Sequence, residues 1–110
     1  MNTSSLGPWS LLVVAGLLEV VWALGFKYVP EKSPWIVPVY IALIASFWLL
    51  VDALKQLPAG TAYAVWTGIG AVGVAVIGMV FFHEPATLVR IGCIALIVIG
   101  IGGLKLTHAG

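Results

Sequence analysis

Four apolar stretches, separated by short segments rich in proline and charge, make up almost the whole chain. Each stretch is about as long as a helix that crosses a hydrocarbon layer roughly 30 Å thick, at about 1.5 Å per residue. A membrane β-barrel would show alternating strands of about ten residues, and these stretches are continuously apolar. The pattern therefore predicts membrane-spanning helices over approximately residues 8–27, 35–54, 61–82 and 86–105.

The three short connections favour antiparallel neighbours, so the predicted fold class is an all-α integral membrane protein with one four-helix bundle over residues 1–110. The composition agrees, with 62% hydrophobic and 8% charged residues and a mean hydropathy of +1.16, whereas a soluble domain has about 25% charged residues. A net charge of +1 gives no reason to expect a nucleic-acid partner. With a single cysteine, no intrachain disulfide and no metal site are expected.

The residues before the first stretch contain no lysine or arginine. A secretory signal peptide normally begins with a basic region and ends in a small-residue cleavage site. We therefore expect the first stretch to be a retained helix.

Glu19 lies near the middle of the first predicted helix. An acid at that depth is energetically costly, and such residues usually face a bundle interior or a water-filled cavity on an ion or substrate pathway. The alternative is a structural ion pair with a buried lysine or arginine. Because no other predicted helix carries a basic residue at mid-depth, we interpret Glu19 as functional.

The basic residues are distributed almost evenly between the two membrane faces. Lys55 and Lys105 would lie on one side, and Lys27, Lys32 and Arg90 on the other. The positive-inside rule needs a bias to fix orientation, so either the bias is small or the protein inserts both ways. Dual insertion would allow an antiparallel dimer. Because four helices enclose too little space for a substrate cavity and two gates, transport would require at least two copies, with the site at the midplane.

Aromatic and hydroxyl side chains accompany the acid. Trp22 lies three residues after Glu19 and shares its helix face, where an aromatic ring beside a carboxylate suits an organic cation; the alternative is an interfacial tryptophan. Tyr63 and Trp66 repeat this spacing in the third helix. Ser46 is the hydroxyl of the second helix, and its alternative role is a bond to its own helix backbone.

Glycines mark two further segments. Gly68, Gly70 and Gly73 either permit close helix packing or form a hinge for a conformational change. They superficially resemble a nucleotide-binding fingerprint, which is rejected because no strand precedes them. In the fourth helix, Gly92 and Gly100 indicate a helix–helix interface, which could join two subunits.

Over essentially its whole length, the chain resembles the small multidrug resistance family of proton-coupled exporters. The resemblance rests on Glu19, on residues 45–50 (ASFWLL) and on residues 58–70 (PAGTAYAVWTGIG). It implies an antiparallel, dual-topology homodimer that spans the bacterial inner membrane several times.

Within that family, the chain is similar to the guanidinium exporter subtype. This similarity rests on residues 19–22 (EVVW), where drug exporters lack the tryptophan, and on residues 66–70 (WTGIG) and 81–85 (FFHEP). The resemblance implies a cation and proton site with a dimer contact near Gly100. The implied site residues are Glu19, Trp22, Ser46, Tyr63 and Trp66.

The implied function is exchange of guanidinium or another small organic cation for protons, both competing for the Glu19 pair of the dimer. No cofactor beyond the proton gradient and no enzymatic activity are expected. One alternative is a broad-specificity exporter of quaternary ammonium or polyaromatic cations. The other is a nontransporting accessory subunit, in which Glu19 pairs with a basic residue of a partner.

Overall fold

A computed structural model describes residues 7–107 of the chain. It contains four helices: α1 Pro8–Tyr28, α2 Ile36–Leu54, α3 Ala59–Phe81 and α4 Leu88–Thr107. All four are long and apolar enough to cross a membrane. The predicted all-α, four-helix fold class is confirmed.

Local capping chemistry determines where the later helices begin. α3 begins at Ala59, two residues before the predicted start, because the carbonyl oxygen of Pro58 accepts the first helical hydrogen bond, from the Ala62 N–H at 3.0 Å. α4 begins at Leu88, two residues after the predicted start. There the hydroxyl of Thr87 accepts the backbone N–H of Arg90 at 3.2 Å, the interaction typical of an N-cap residue.

The helices form a thin layer in which α1 packs against both α2 and α3, while the backbone of α4 approaches only α3. The described part of the chain measures 40 × 38 × 18 Å. Its apolar core lies between the first three helices and consists of Leu11, Leu12, Ala15, Leu50, Ala53, Leu57, Ala62, Val65 and Trp66. None of the residues of α4 is buried. A single chain therefore leaves one helix almost entirely uncovered.

Small residues bring α1 and α3 close together along parallel paths. A Cβ atom added to Gly16 of α1 would lie 2.5 Å from Ile69 of α3. One turn further along, Gly73 of α3 lies directly against the side chain of Val20, with no room for a Cβ atom. This close approach places the middle of α1, including Glu19, directly against the backbone of α3.

An ion pair holds the turn between α3 and α4. Arg90 donates to the carboxylate of Glu84 at 2.6 Å and to the carbonyl oxygen of Pro85 at 3.1 Å. His83 adopts a left-handed conformation, with φ 56°, which reverses the chain after α3. The ring of Phe82 stacks on Tyr28 at 4.1 Å between centroids, so this turn is also attached to the end of α1.

Candidate functional site

The carboxyl group of Glu19 lies against α3, in the space beside Gly70 where any other residue would place its Cβ atom. Its Oε1 atom is buried and has no hydrogen-bond partner in the described part of the chain. Within residues 7–107 the recorded salt bridge is between Arg90 and Glu84, so the structure shows no intrachain ion pair for Glu19. A buried carboxylate oxygen without a partner is energetically costly, so Oε1 lacks a hydrogen-bond donor or a positive charge that the described residues do not supply.

Ser46 joins the three core helices through hydrogen bonds. Its fully buried hydroxyl donates to the carbonyl oxygen of Ala15 in α1 at 2.7 Å and accepts the indole N–H of Trp66 in α3 at 3.0 Å. The alternative interpretation, a bond to its own helix backbone, is therefore wrong. Since a hydroxyl has one proton to donate, Ser46 does not donate to Glu19 in this conformation. It fixes Trp66 and the turn of α1 that precedes the acid.

Trp22 is turned inward toward α2. Its ring stacks on Phe47 at 6.3 Å between centroids and meets Phe26 edge-on, also at 6.3 Å. Its indole Nε1 is buried and has no hydrogen-bond partner among the described residues. The interfacial interpretation does not explain a buried N–H donor, so the structure favours the placement of Trp22 within the candidate site.

Phe47 contacts both tryptophans and is not among the site residues that the sequence predicts. Its ring meets Trp66 edge-on at 5.0 Å between centroids and also stacks on Trp22. It directly follows Ser46 within residues 45–50, a segment that carries the family resemblance. Its position in that segment is a sequence signal for a site residue. However, a phenylalanine has no polar group that would distinguish it from the other apolar residues of a membrane helix.

Tyr63 lies at the open edge of this aromatic cluster. Its ring is 5.6 Å from Trp66 between centroids, and the residue is 58% exposed, whereas Trp66 is 4% exposed. The structure therefore brings Trp22, Ser46 and Trp66 together in the interior and leaves Tyr63 on a face that a single chain does not cover.

Comparison with known proteins identifies the family. Residues 7–97 match the family model described as "Small Multidrug Resistance protein". The chain belongs to the small multidrug resistance family.

Several relatives of this family member carry the name guanidinium exporter. The protein of that name from Escherichia coli (strain K12) is 56% identical over 104 residues, covering 91% of this chain and 98% of its own length. The Yersinia pestis protein is 55% identical over 101 residues, with 89% and 96% covered. The Salmonella typhimurium protein is 50% identical over 102 residues, with 90% and 96% covered. Together with the four membrane-spanning helices, these relationships identify a multi-pass protein of the bacterial inner membrane.

The three candidate hinge glycines of this small multidrug resistance protein all lie against another helix. A Cβ atom on Gly68 would lie 2.8 Å from Ile101 of α4, Gly70 faces Glu19, and Gly73 faces Val20. α3 continues without interruption through all of them. Close packing therefore accounts for each glycine in this conformation, and the hinge remains a prediction.

The glycines of α4 have the opposite surroundings. Within residues 7–107, Gly92 and Gly100 have no atom near enough to contact an added Cβ atom. Since no residue of α4 is buried in the single chain, the whole helix has surface available for another partner. A dimer contact at Gly100 remains a prediction, and the exposed surface of α4 leaves room for it.

Proposed function

We propose that this protein exports guanidinium or small guanidinyl cations in exchange for protons, without any enzymatic step. The observation that carries this proposal is the half-buried carboxylate of Glu19, near the middle of a membrane-spanning helix, whose buried Oε1 atom has no hydrogen-bond partner among the described residues. The names of the relatives support guanidinium as the cation.

Recognition would depend on charge, planarity and hydrogen bonding. An ionised carboxylate accepts two parallel N–H groups from a guanidinium group, and these charge-assisted bonds are stronger than neutral ones. The rings of Trp22 and Trp66 would provide aromatic walls for the flat cation. The unpartnered indole N–H of Trp22 would donate to the Glu19 carboxylate and hold it in orientation, because an indole N–H can donate but cannot accept.

Coupling to protons would follow from competition at the same carboxylate. In a water-poor site the free anion is unfavourable, so Glu19 would carry either a proton or a cation and would seldom be empty. Alternating access would then exchange the two across the membrane. The proton gradient would be the energy source, and no other cofactor is required.

Two chains would form the functional unit. The thin layer formed by one chain and the uncovered α4 support an assembly of two copies, with Gly100 in the dimer contact. The nearly even distribution of basic residues supports opposite orientations of the two copies. An antiparallel homodimer would possess the symmetry of inverted-repeat transporters, with its site at the midplane. Its two Glu19 carboxylates would titrate as a coupled pair.

Dual topology gives a direct expectation for the C-terminus. A tag attached there should be found on both sides of the membrane in the same cells, because neither orientation has a strong charge preference. Cysteine-accessibility labelling or paired reporter fusions would measure this distribution. Detection of the tag on one side only would refute the antiparallel homodimer.

Transport by purified protein tests the function itself. In proteoliposomes with an imposed pH gradient, guanidinium should move against the proton flux and should compete with protons for binding. Stronger transport of tetraphenylphosphonium than of guanidinium would instead favour the broad-specificity exporter. If cations neither move nor release protons from the purified protein, the accessory-subunit alternative would replace the proposal.

A further inference from the structure

We infer that Thr67 is an additional cation ligand, whose hydroxyl oxygen accepts an N–H group of the transported cation. The inference rests on the proposed function and deepens it by naming a determinant of substrate class. No pattern in the sequence predicts a role for this residue.

The hydroxyl of Thr67 is buried and unpartnered in the part of the chain that the structure describes. Its Oγ1 atom lacks a hydrogen bond within the described residues. A threonine inside a helix usually bonds to the backbone carbonyl three or four residues earlier, but Thr67 does not do so here. Because buried polar groups are nearly always satisfied, this hydroxyl is a candidate for a partner that is not part of the chain.

Thr67 lies on the same face of α3 as Gly70, the residue that the Glu19 carboxyl group contacts. It lies three residues before Gly70 and four after Tyr63, so all three occupy one face of α3. The carboxyl group of Glu19 rests against Gly70, one helical turn or about 5 Å along that face. Neither Glu19 Oε1 nor Thr67 Oγ1 has a hydrogen-bond partner among the described residues, so these two atoms do not bond to one another in this conformation.

The chemistry of the unpartnered atoms assigns a different role to each. Within the described residues, the buried side-chain atoms without a partner are Glu19 Oε1, Trp22 Nε1 and Thr67 Oγ1. The carboxylate would accept two N–H groups of a guanidinium, which has further N–H groups to satisfy. Trp22 cannot accept them, because its indole only donates. The Thr67 hydroxyl can accept, and among these three atoms it is therefore the neutral acceptor available to the remaining N–H groups.

This role would distinguish cations that carry N–H groups from fully alkylated or arylated ones. A site that hydrogen-bonds its substrate discriminates strongly against an analogue without the bonding group. The isosteric change Thr67→Val should weaken guanidinium binding about tenfold, the effect of one hydrogen bond to a charged group. Tetraphenylphosphonium has no N–H group, so its binding should be unaffected. Thr67→Ser, which keeps the hydroxyl, should retain guanidinium binding.

The experiment measures equilibrium binding of guanidinium and tetraphenylphosphonium to the purified full-length protein, together with its unfolding temperature. Thr61→Val serves as the matched control, because it makes the same change near the start of α3. Thr67→Ala and Thr67→Ser provide a second pair if valine disturbs folding. A selective loss of guanidinium binding in the variants without the hydroxyl supports the inference.

Three other outcomes would overturn it. Unchanged guanidinium binding in Thr67→Val or Thr67→Ala would exclude a bond to the cation. An equal loss for both cations, or a lowered unfolding temperature that accounts for the loss, would show that Thr67 positions Glu19 or packs α3. Failure of the unaltered protein to bind guanidinium would remove the proposed function, and this inference with it.

Discussion

Glu19→Gln should reduce proton-coupled guanidinium transport to the background of protein-free liposomes. Glutamine has nearly the same shape, so it can occupy the space beside Gly70 without a change in packing. It carries no negative charge and exchanges no proton, so it removes both the partner of the cation and the carrier of the proton. Guanidinium influx driven by an outward proton gradient would measure the loss, and guanidinium-induced proton release in detergent should disappear with it.

Asp52→Asn provides the matched control for this variant. It makes the same carboxylate-to-amide change at the end of α2, away from the aromatic cluster, and should leave transport at the level of the unaltered protein. Size-exclusion chromatography should show the same oligomeric state for both variants. Persistence of coupled transport in folded Glu19→Gln would contradict the mechanism.

Gly70→Ala should produce the second large effect, a loss of cation binding of tenfold or more, by an order-of-magnitude estimate. The added methyl group would occupy the position of the Glu19 carboxyl group, so the acid must move or the two helices must separate. Overpacking of this kind typically costs about 1–3 kcal/mol of stability. Equilibrium binding of guanidinium and the unfolding temperature of the purified protein would measure the two effects.

Gly60→Ala is the control on the same helix. No atom of the described residues lies near an alanine Cβ atom at that position, so binding should be unchanged. Stability should change by no more than about 1 kcal/mol, the difference in helix propensity. Comparison of Gly70→Ala with Gly60→Ala also distinguishes the two interpretations of the α3 glycines, which are close helix packing and a hinge. If Gly70→Ala binds the cation normally and only transports it slowly, then a hinge role accounts for the glycine and the close contact with Glu19 does not.

Sequence patterns correctly predicted the helices because membrane insertion depends mainly on local properties. A continuous apolar stretch of sufficient length must satisfy its backbone hydrogen bonds internally, and a helix does so without help from other segments. Glu19 could be identified in the same way, because a charged residue in an apolar helix is unusual whatever the tertiary structure around it. Helix starts were less predictable, because they depend on single capping contacts at Pro58 and Thr87.

The partners of each side chain depended on the tertiary structure. Ser46 bonds to a carbonyl 31 residues away, and no local pattern distinguishes that bond from one within its own helix. The sequence could not show that Gly70 faces the acid, that Phe47 joins the tryptophans or that Thr67 lacks a partner. Those facts depend on how each helix is rotated about its axis and how closely it packs against its neighbours. Both are determined by contacts between residues that are far apart in the sequence. The sequence by itself determined a four-helix membrane protein with one conspicuous acid, whereas the surroundings of that acid were decided by packing.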